Sequence, residues 1–223
     1  MEERQTQYLI GVDEAGRGPL AGPVSVAAVA FMSRSNLDNC GVAIMSRHRL
    51  DSSTSPALGR PRAGLRDSKK LTAKKREQWF EWLRQKQKVG QPKFTISLVG
   101  EKTIDRSGIV KAVRIGIKRC LTRLKLNPKQ CRILLDGSLH APKIYRNQQT
   151  IIRGDEKVPI IMLASIIAKV RRDRRMIKLA RVYPNYNFEI HKGYGTRLHY
   201  AALRRHGLSP LHRRSFLKNF RQL

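Results

Sequence analysis

The sequence predicts an α/β fold, a sheet layered against helices, and three observations carry that expectation. Short apolar runs rich in β-branched residues read as strands at Tyr8 to Val12, Val24 to Phe31 and Arg132 to Gly137. Longer stretches with apolar residues at helical spacing separate or follow them. The two kinds of segment alternate along the chain, the arrangement that layers helices on a sheet.

In chain order, Tyr8 to Val12 and Val24 to Phe31 are two strands joined by a turn that carries Gly16, Gly18 and Gly22. Residues 33–64 are rich in Ser, Arg, Asn and Pro without periodicity, and we expect an exposed loop insertion there. Thr72 is placed to cap a helix over Lys74 to Gln87, whose apolar residues are Trp79, Phe80 and Leu83. Phe94 to Val99 alternates as a strand. Ile109 to Leu124 repeats apolar residues at helical spacing, with Lys111, Arg114 and Lys118 on a basic face.

Arg132 to Gly137 is apolar and ends in an acid, as a central strand does, and Thr150 to Asp155 repeats that pattern. Val158 to Met176 reads as a helix that begins in the core and emerges at Lys169 to Arg175. Residues 191–223 contain no Asp or Glu and suggest short helices at Arg197 to His206 and Arg213 to Phe220. The expected organisation is one domain over residues 1–190 with a small, basic, helical C-terminal extension over 191–223.

The chain has 223 residues, with 46 Lys and Arg against 16 Asp and Glu, a net charge of +30. Such a surface attracts polyanions, and nucleic acid fits best because neutralising phosphates releases condensed counterions. A membrane partner is not expected, since the longest apolar stretches, Val24 to Phe31 and Ile160 to Ala168, are too short to span a bilayer. The first seven residues lack the order of a signal peptide, and the cytoplasm is the expected compartment. Cys40, Cys120 and Cys131 are odd in number and lack CxxC spacing, which argues for a reducing compartment and against a disulfide framework or zinc site. Cys120 and Cys131 read as core residues.

Against this positive background, Asp13, Glu14, Asp136 and Asp155 fall at the ends of apolar strands or just after them. Strand ends in such a sheet converge on one edge, so acids from three segments can surround one point. Their hard oxygens suit Mg2+ or Mn2+, ions that activate water for phosphodiester cleavage. The alternative is ordinary local structure: Asp13 and Glu14 capping a loop, Asp136-Gly137 a turn, Asp155 a cap. Because neighbouring strand residues point to opposite faces, a turn at Gly16 is expected to bring Asp13 and Glu14 together.

Gly11-Val12-Asp13-Glu14-Ala15-Gly16-Arg17-Gly18-Pro19, Asp67-Ser68-Lys69-Lys70-Leu71, Leu135-Asp136-Gly137, Gly154-Asp155, Ala164-Ser165-Ile166-Ile167-Ala168-Lys169 and His191-Lys192-Gly193-Tyr194-Gly195-Thr196 occur in one order. That series, with Gly207-Leu208-Ser209-Pro210 and His212-Arg213-Arg214-Ser215-Phe216, resembles the ribonuclease HII family over nearly the whole chain. The resemblance implies a ribonuclease H-like mixed central sheet flanked by helices, with residues 1–190 as the catalytic domain. It places the family's four metal-binding catalytic acids on Asp13, Glu14, Asp136 and Asp155. It implies a metal-dependent endonuclease that hydrolyses the RNA strand of RNA/DNA hybrids and incises 5′ of ribonucleotides embedded in duplex DNA; a monomer is the expected state.

Under the same resemblance, Gly16, Arg17, Gly18 and Tyr194 recognise the ribose 2′-hydroxyl, and Lys69 and Lys70 contact phosphates near the cut. Asp173 reads as an ion-pair partner of its arginine neighbours, and His191 and His212 as hydrogen-bonding supports. Ser165, in an apolar helix, reads as packed against a helix backbone. Two competing readings remain: a non-catalytic basic nucleic-acid-binding protein, and a nuclease of related architecture that cuts DNA junctions.

Overall fold

A computed structural model describes residues 8–32 and 71–220. The expected loop over 33–64, together with Cys40, Lys69 and Lys70, lies outside the described residues. Five strands form one sheet: β1 (Tyr8–Ala15), β2 (Val24–Met32), β3 (Lys93–Val99), β4 (Cys131–Asp136) and β5 (Gln148–Ile151), in the order β3-β2-β1-β4-β5. β1 pairs antiparallel with β2 and parallel with β4, β3 joins β2 antiparallel, and β5 joins β4 in parallel. The sheet is mixed, and β1 is its centre. The helices are α1 (Ala73–Lys88), α2 (Glu101–Ser107), α3 (Ile109–Leu124), α4 (Gly154–Lys157), α5 (Pro159–Val182), α6 (Phe188–His191) and α7 (Arg197–His206).

Strand alternation sorts the apolar residues into two layers. Ile10, Val12, Val24, Val26, Ala28, Ile133 and Leu135 meet Val113, Ile117 and Leu121 of α3. Leu9, Ala27, Val29 and Leu134 face the other way, onto Ile160 to Ala168 of α5 and onto Trp79, Phe80 and Leu83 of α1. Thr72 caps α1, its hydroxyl accepting from the Lys75 amide at 3.3 Å. Cys120 and Cys131 are buried free thiols. Gly11 lets α5 lie directly on β1: a Cβ there would stand 2.4 Å from the Ile160 carbonyl oxygen.

A third cluster joins the C-terminal segment to the rest. Leu20 and Ala21, from the β1–β2 connection, pack with Met176, Leu179, Phe188, Leu203 and Leu211. This burial holds α5 helical to Val182, six residues beyond the expected end, because one side of its basic second half is apolar and covered. No described helix is long and apolar enough to cross a membrane.

Three further local expectations are corrected. β1 continues through both acids, since the backbone ladder pairs Asp13 with Ala27 and Glu14 with Val26 whatever the side chains are. β5 ends at Ile151, and Asp155 rides on α4, which begins after Arg153 turns left-handed at φ 56°. Arg213 to Phe220 forms only a 3-10 turn at Arg214–Phe216, held in place by tertiary contacts: the Asp105 carboxylate accepts the Arg214 and Ser215 amides at 2.9 Å each, and Leu217 is buried in the third cluster.

Candidate active site

The carboxylates gather where β1 and β4 reach the same edge of the sheet. Asp13 shares the face of Leu9 that packs on α5 and is 4% exposed. One of its oxygens accepts the Glu14 amide at 2.7 Å, and the nearby Ser165 hydroxyl of α5 favours the charged carboxylate. Burial, reinforced by the charges of Glu14 and Asp136, holds the Asp13 carboxyl well above the usual carboxylate range. Glu14 has the opposite strand parity, so the two acids straddle the strand and no turn intervenes. Its carboxyl is also raised by burial, against the pull of Arg17 at 3.3 Å and with the repulsion of Asp136 added.

Asp136, at the end of β4, organises the third segment. Its Oδ1 accepts the Gly154 amide at 2.7 Å and the Asp155 amide at 3.3 Å, so one carboxylate seats the start of the helix that carries buried Asp155. Three carboxylates thus sense one another and the fourth is tied to them through the backbone. Among the described residues, no three acid, His or Cys groups converge as a ready-made metal cage. The donor chemistry nevertheless fits a hard divalent cation. Glu14 Oε2 is buried without a hydrogen-bond partner among the described residues, and Asp13 is desolvated beside like charges, both of which a cation would relieve.

The connection from Ala15 to Val24 sits beside these acids and is held from below by two arginines. Both Arg172 and Arg213 are fully buried. Arg213 donates to the carbonyl oxygens of Gly16 at 2.7 Å, Arg17 at 2.8 Å and Gly22 at 2.9 Å. Arg172 donates to those of Pro23 at 3.0 Å and Ala21 at 3.3 Å. Burial pushes the Arg213 guanidinium down to about 9 and lowers Arg172 too. Gly16 is required here, since it has φ +95° and a Cβ would collide with Arg172 Nε at 1.9 Å.

The Gly193 carbonyl accepts the Leu20 amide at 2.8 Å and the Ala21 amide at 3.3 Å, which ties the Tyr194 loop to the same connection. Tyr194 is 42% exposed, its ring 5.6 Å from the Arg172 guanidinium and 5.8 Å from Lys169 Nζ. Behind it runs a chain of neutral histidines whose protons follow from their partners. The Ser209 amide donates to His212 Nδ1 at 2.8 Å, which leaves the His212 proton on Nε2. That proton meets His199 Nε2 at 3.0 Å, so His199 carries its own proton on Nδ1 and donates it to the Tyr194 carbonyl at 2.9 Å. Desolvation lowers His199 and His212 to about 4, in keeping with this arrangement. His191 likewise takes the Gly193 amide on Nδ1 and reaches the Tyr186 carbonyl through Nε2.

The structure therefore brings Asp13, Glu14, Asp136, Asp155, Gly16, Arg17, Gly18 and Tyr194 into one neighbourhood, while Lys69 and Lys70 fall outside the described residues. Asp173 pairs with Lys169 at 2.9 Å and not with the adjacent arginines. Sequence reasoning missed the roles that Ser165, Arg172, His199 and Arg213 play. Ser165 was legible as a lone hydroxyl in an apolar helix, but it serves Asp13 and not the helix backbone. Nothing in the sequence separates Arg172 and Arg213 from their exposed basic neighbours.

The family model for ribonuclease HII matches residues 10–43 and 57–219. A ribonuclease HII of Coxiella burnetii is 40% identical over 208 residues, covering 93% of this chain and 87% of that protein. Among solved structures, the fold matches ribonuclease HII in its complex with PCNA from Archaeoglobus fulgidus at a TM-score of 0.67, with 22% identity and 96% and 95% of the two chains covered. It also matches Bst-RNase HIII in complex with Mn2+ at 0.61, with 17% identity over 98% of this chain and 64% of that one. The mixed sheet, the acids at its edge and these similarities agree, and the chain belongs to the ribonuclease HII family.

Proposed function

We propose that this ribonuclease H endonuclease hydrolyses the RNA strand of RNA/DNA hybrids and incises on the 5′ side of ribonucleotides embedded in duplex DNA, leaving 5′-phosphates. The observation that carries the reading is the adjacency of two unlike parts: a desolvated group of carboxylates, and a loop with exposed backbone at Arg17 and Gly18 beside an exposed tyrosine ring. The first suits phosphodiester hydrolysis and the second suits inspection of a sugar.

Asp13, Glu14, Asp136 and Asp155 would hold Mg2+ or Mn2+, which when bound supplies an activated water and stabilises charge at the leaving oxygen. Support comes from the buried, unpartnered oxygen of Glu14 and from Mn2+ in the related HIII structure. The chain's own residues do the rest. Ser165 orients Asp13, Asp136 seats Asp155, and Arg17 balances Glu14 until substrate arrives. Gly16, Arg17 and Gly18 would approach the 2′-hydroxyl, Tyr194 would pack on the adjoining sugar, and Lys69 and Lys70 would contact phosphates near the cut. In this reading residues 191–223 are an extension that delivers Tyr194 to the catalytic domain, and the enzyme acts as a monomer in the cytoplasm.

The test is a DNA duplex carrying one ribonucleotide, incubated with Mg2+ or Mn2+. Wild type should cut once, 5′ of the ribonucleotide, and Asp13→Asn should lose the activity. Absence of incision by wild type, or undiminished incision by Asp13→Asn, would defeat the proposal. Strong, salt-sensitive binding without product would instead identify a non-catalytic binding protein.

A further inference from the structure

We infer that Arg213 is a positioning residue for ribose selectivity, which it sets by aiming two backbone amides outward. The inference rests on the reading that the Gly16 to Gly18 segment inspects the 2′-hydroxyl, and it supplies the physical basis of that inspection. A trans peptide holds its C=O and the following N–H on opposite sides of one plane. Arg213 fixes the Gly16 carbonyl at 2.7 Å and the Arg17 carbonyl at 2.8 Å, both pointing into the core. The amides of the same two peptide planes belong to Arg17 and Gly18, so both must point away from the guanidinium.

The surroundings agree with that orientation. Arg17 and Gly18 are exposed whereas Gly16 is buried. Neither amide has an acceptor among the described residues. A Cβ at Gly18 would meet nothing within 4 Å, so the surface beside these donors is uncrowded at Gly18. A second hydroxyl on the sugar offers an acceptor there, and a deoxyribose offers none.

Only arginine performs this task. Its planar fork serves three carbonyls from one buried position, those of Gly16, Arg17 and Gly22, with no carboxylate hydrogen-bonded to it among the described residues. The Arg213 amide also donates to the Leu20 carbonyl at 2.8 Å, which locks the guanidinium's own backbone to the loop that it shapes. Lysine could reach one of the three carbonyls and would leave the two peptide planes free to rotate.

The experiment measures affinity without divalent metal, for a duplex with one ribonucleotide and for the same duplex in all-DNA form. It compares wild type, Arg213→Lys and Gly18→Ala, each verified as folded by circular dichroism. Wild type should prefer the ribonucleotide duplex, and the preference should fall about five- to tenfold in both variants, the worth of one to two misaligned donors. A folded Arg213→Lys that retains the wild-type preference overturns the inference. So does a Gly18→Ala that retains it, since the added methyl group crowds the surface beside the two amides where the sugar would approach; this variant decides alone if Arg213→Lys does not fold. Lack of any ribose preference in wild type overturns the inference too. Failure of the proposed function is a separate result, the absence of incision when metal is supplied.

Discussion

Substituting alanine for Gly11 tests how tightly the catalytic strand is registered on the helix beneath it. The new Cβ would stand 2.4 Å from the Ile160 carbonyl oxygen and 2.5 Å from its carbon, both of them helix backbone that cannot turn aside. An ordinary C···O contact lies near 3.3 Å, so β1 and α5 must part locally by about 0.9 Å. Overpacking of this kind costs about 1–3 kcal/mol, which for a chain of this size lowers the melting temperature by roughly 3–10 °C. The same displacement carries Asp13 away from Ser165 and Asp136. A misplacement near 1 Å costs on the order of 100-fold in rate.

The assay pairs thermal unfolding by circular dichroism with incision measured well below the midpoint. Leu83→Ala on α1 serves as the comparison, because it removes a fully buried side chain, costs about 2–5 kcal/mol and touches none of the acids. It should melt early yet cut within a few-fold of wild type. A Gly11→Ala protein that melts like wild type would refute the close approach. One that melts early but cuts at the wild-type rate would refute the claim that strand-to-helix registry aligns the carboxylates.

Other expectations follow from the same geometry. In metal-free protein Asp13→Asn should melt higher than wild type at neutral pH: burial raises the Asp13 pKa, so the folded state holds the proton more tightly and loses stability as pH rises through that raised value. Calorimetry across pH 4 to 8 in chelator should show the gap widening upward, and a gap that narrows would count against the desolvated carboxylate. His199 and His212 act in the opposite sense. Their folded values near 4 lie below the ordinary 6.5, so stability falls as pH drops from about 6.5 toward 4, and His212→Gln should flatten that part of the curve. Tyr194→Ala should weaken cutting at a single ribonucleotide more than it weakens duplex binding, and equal losses in gel-shift and incision assays would remove its recognition role.

Much of the molecule was legible before any coordinates. Apolar periodicity located α1, α3 and four of the strands within a few residues, because burial of one face is a local pattern that the chain must repeat. The acids stood out because carboxylates are costly beside apolar strands. The boundaries that failed share one cause, which is contact with distant residues. β1 outran its apolar run because β2 offered a ladder; the segment expected as a helix over Arg213 to Phe220 makes one turn where Asp105 and the third cluster anchor it. The roles of Arg172, His199 and Arg213 were unreadable for the same reason.

The amino-acid sequence alone determined the layered α/β class, the strongly positive charge, and the four acids and the glycine-rich turn that stand in the order of the ribonuclease HII family. Those are properties of composition and local spacing, which survive without knowing what touches what. Tertiary structure alone decided which face each acid takes, that Asp136 seats Asp155, and that two arginines in a chain of charge +30 lie buried beneath the glycine-rich loop. A guanidinium can enter a core only where several carbonyl oxygens converge to replace its water. That convergence joins residue 213 to residues 16, 17 and 22, and it exists only once the chain has folded.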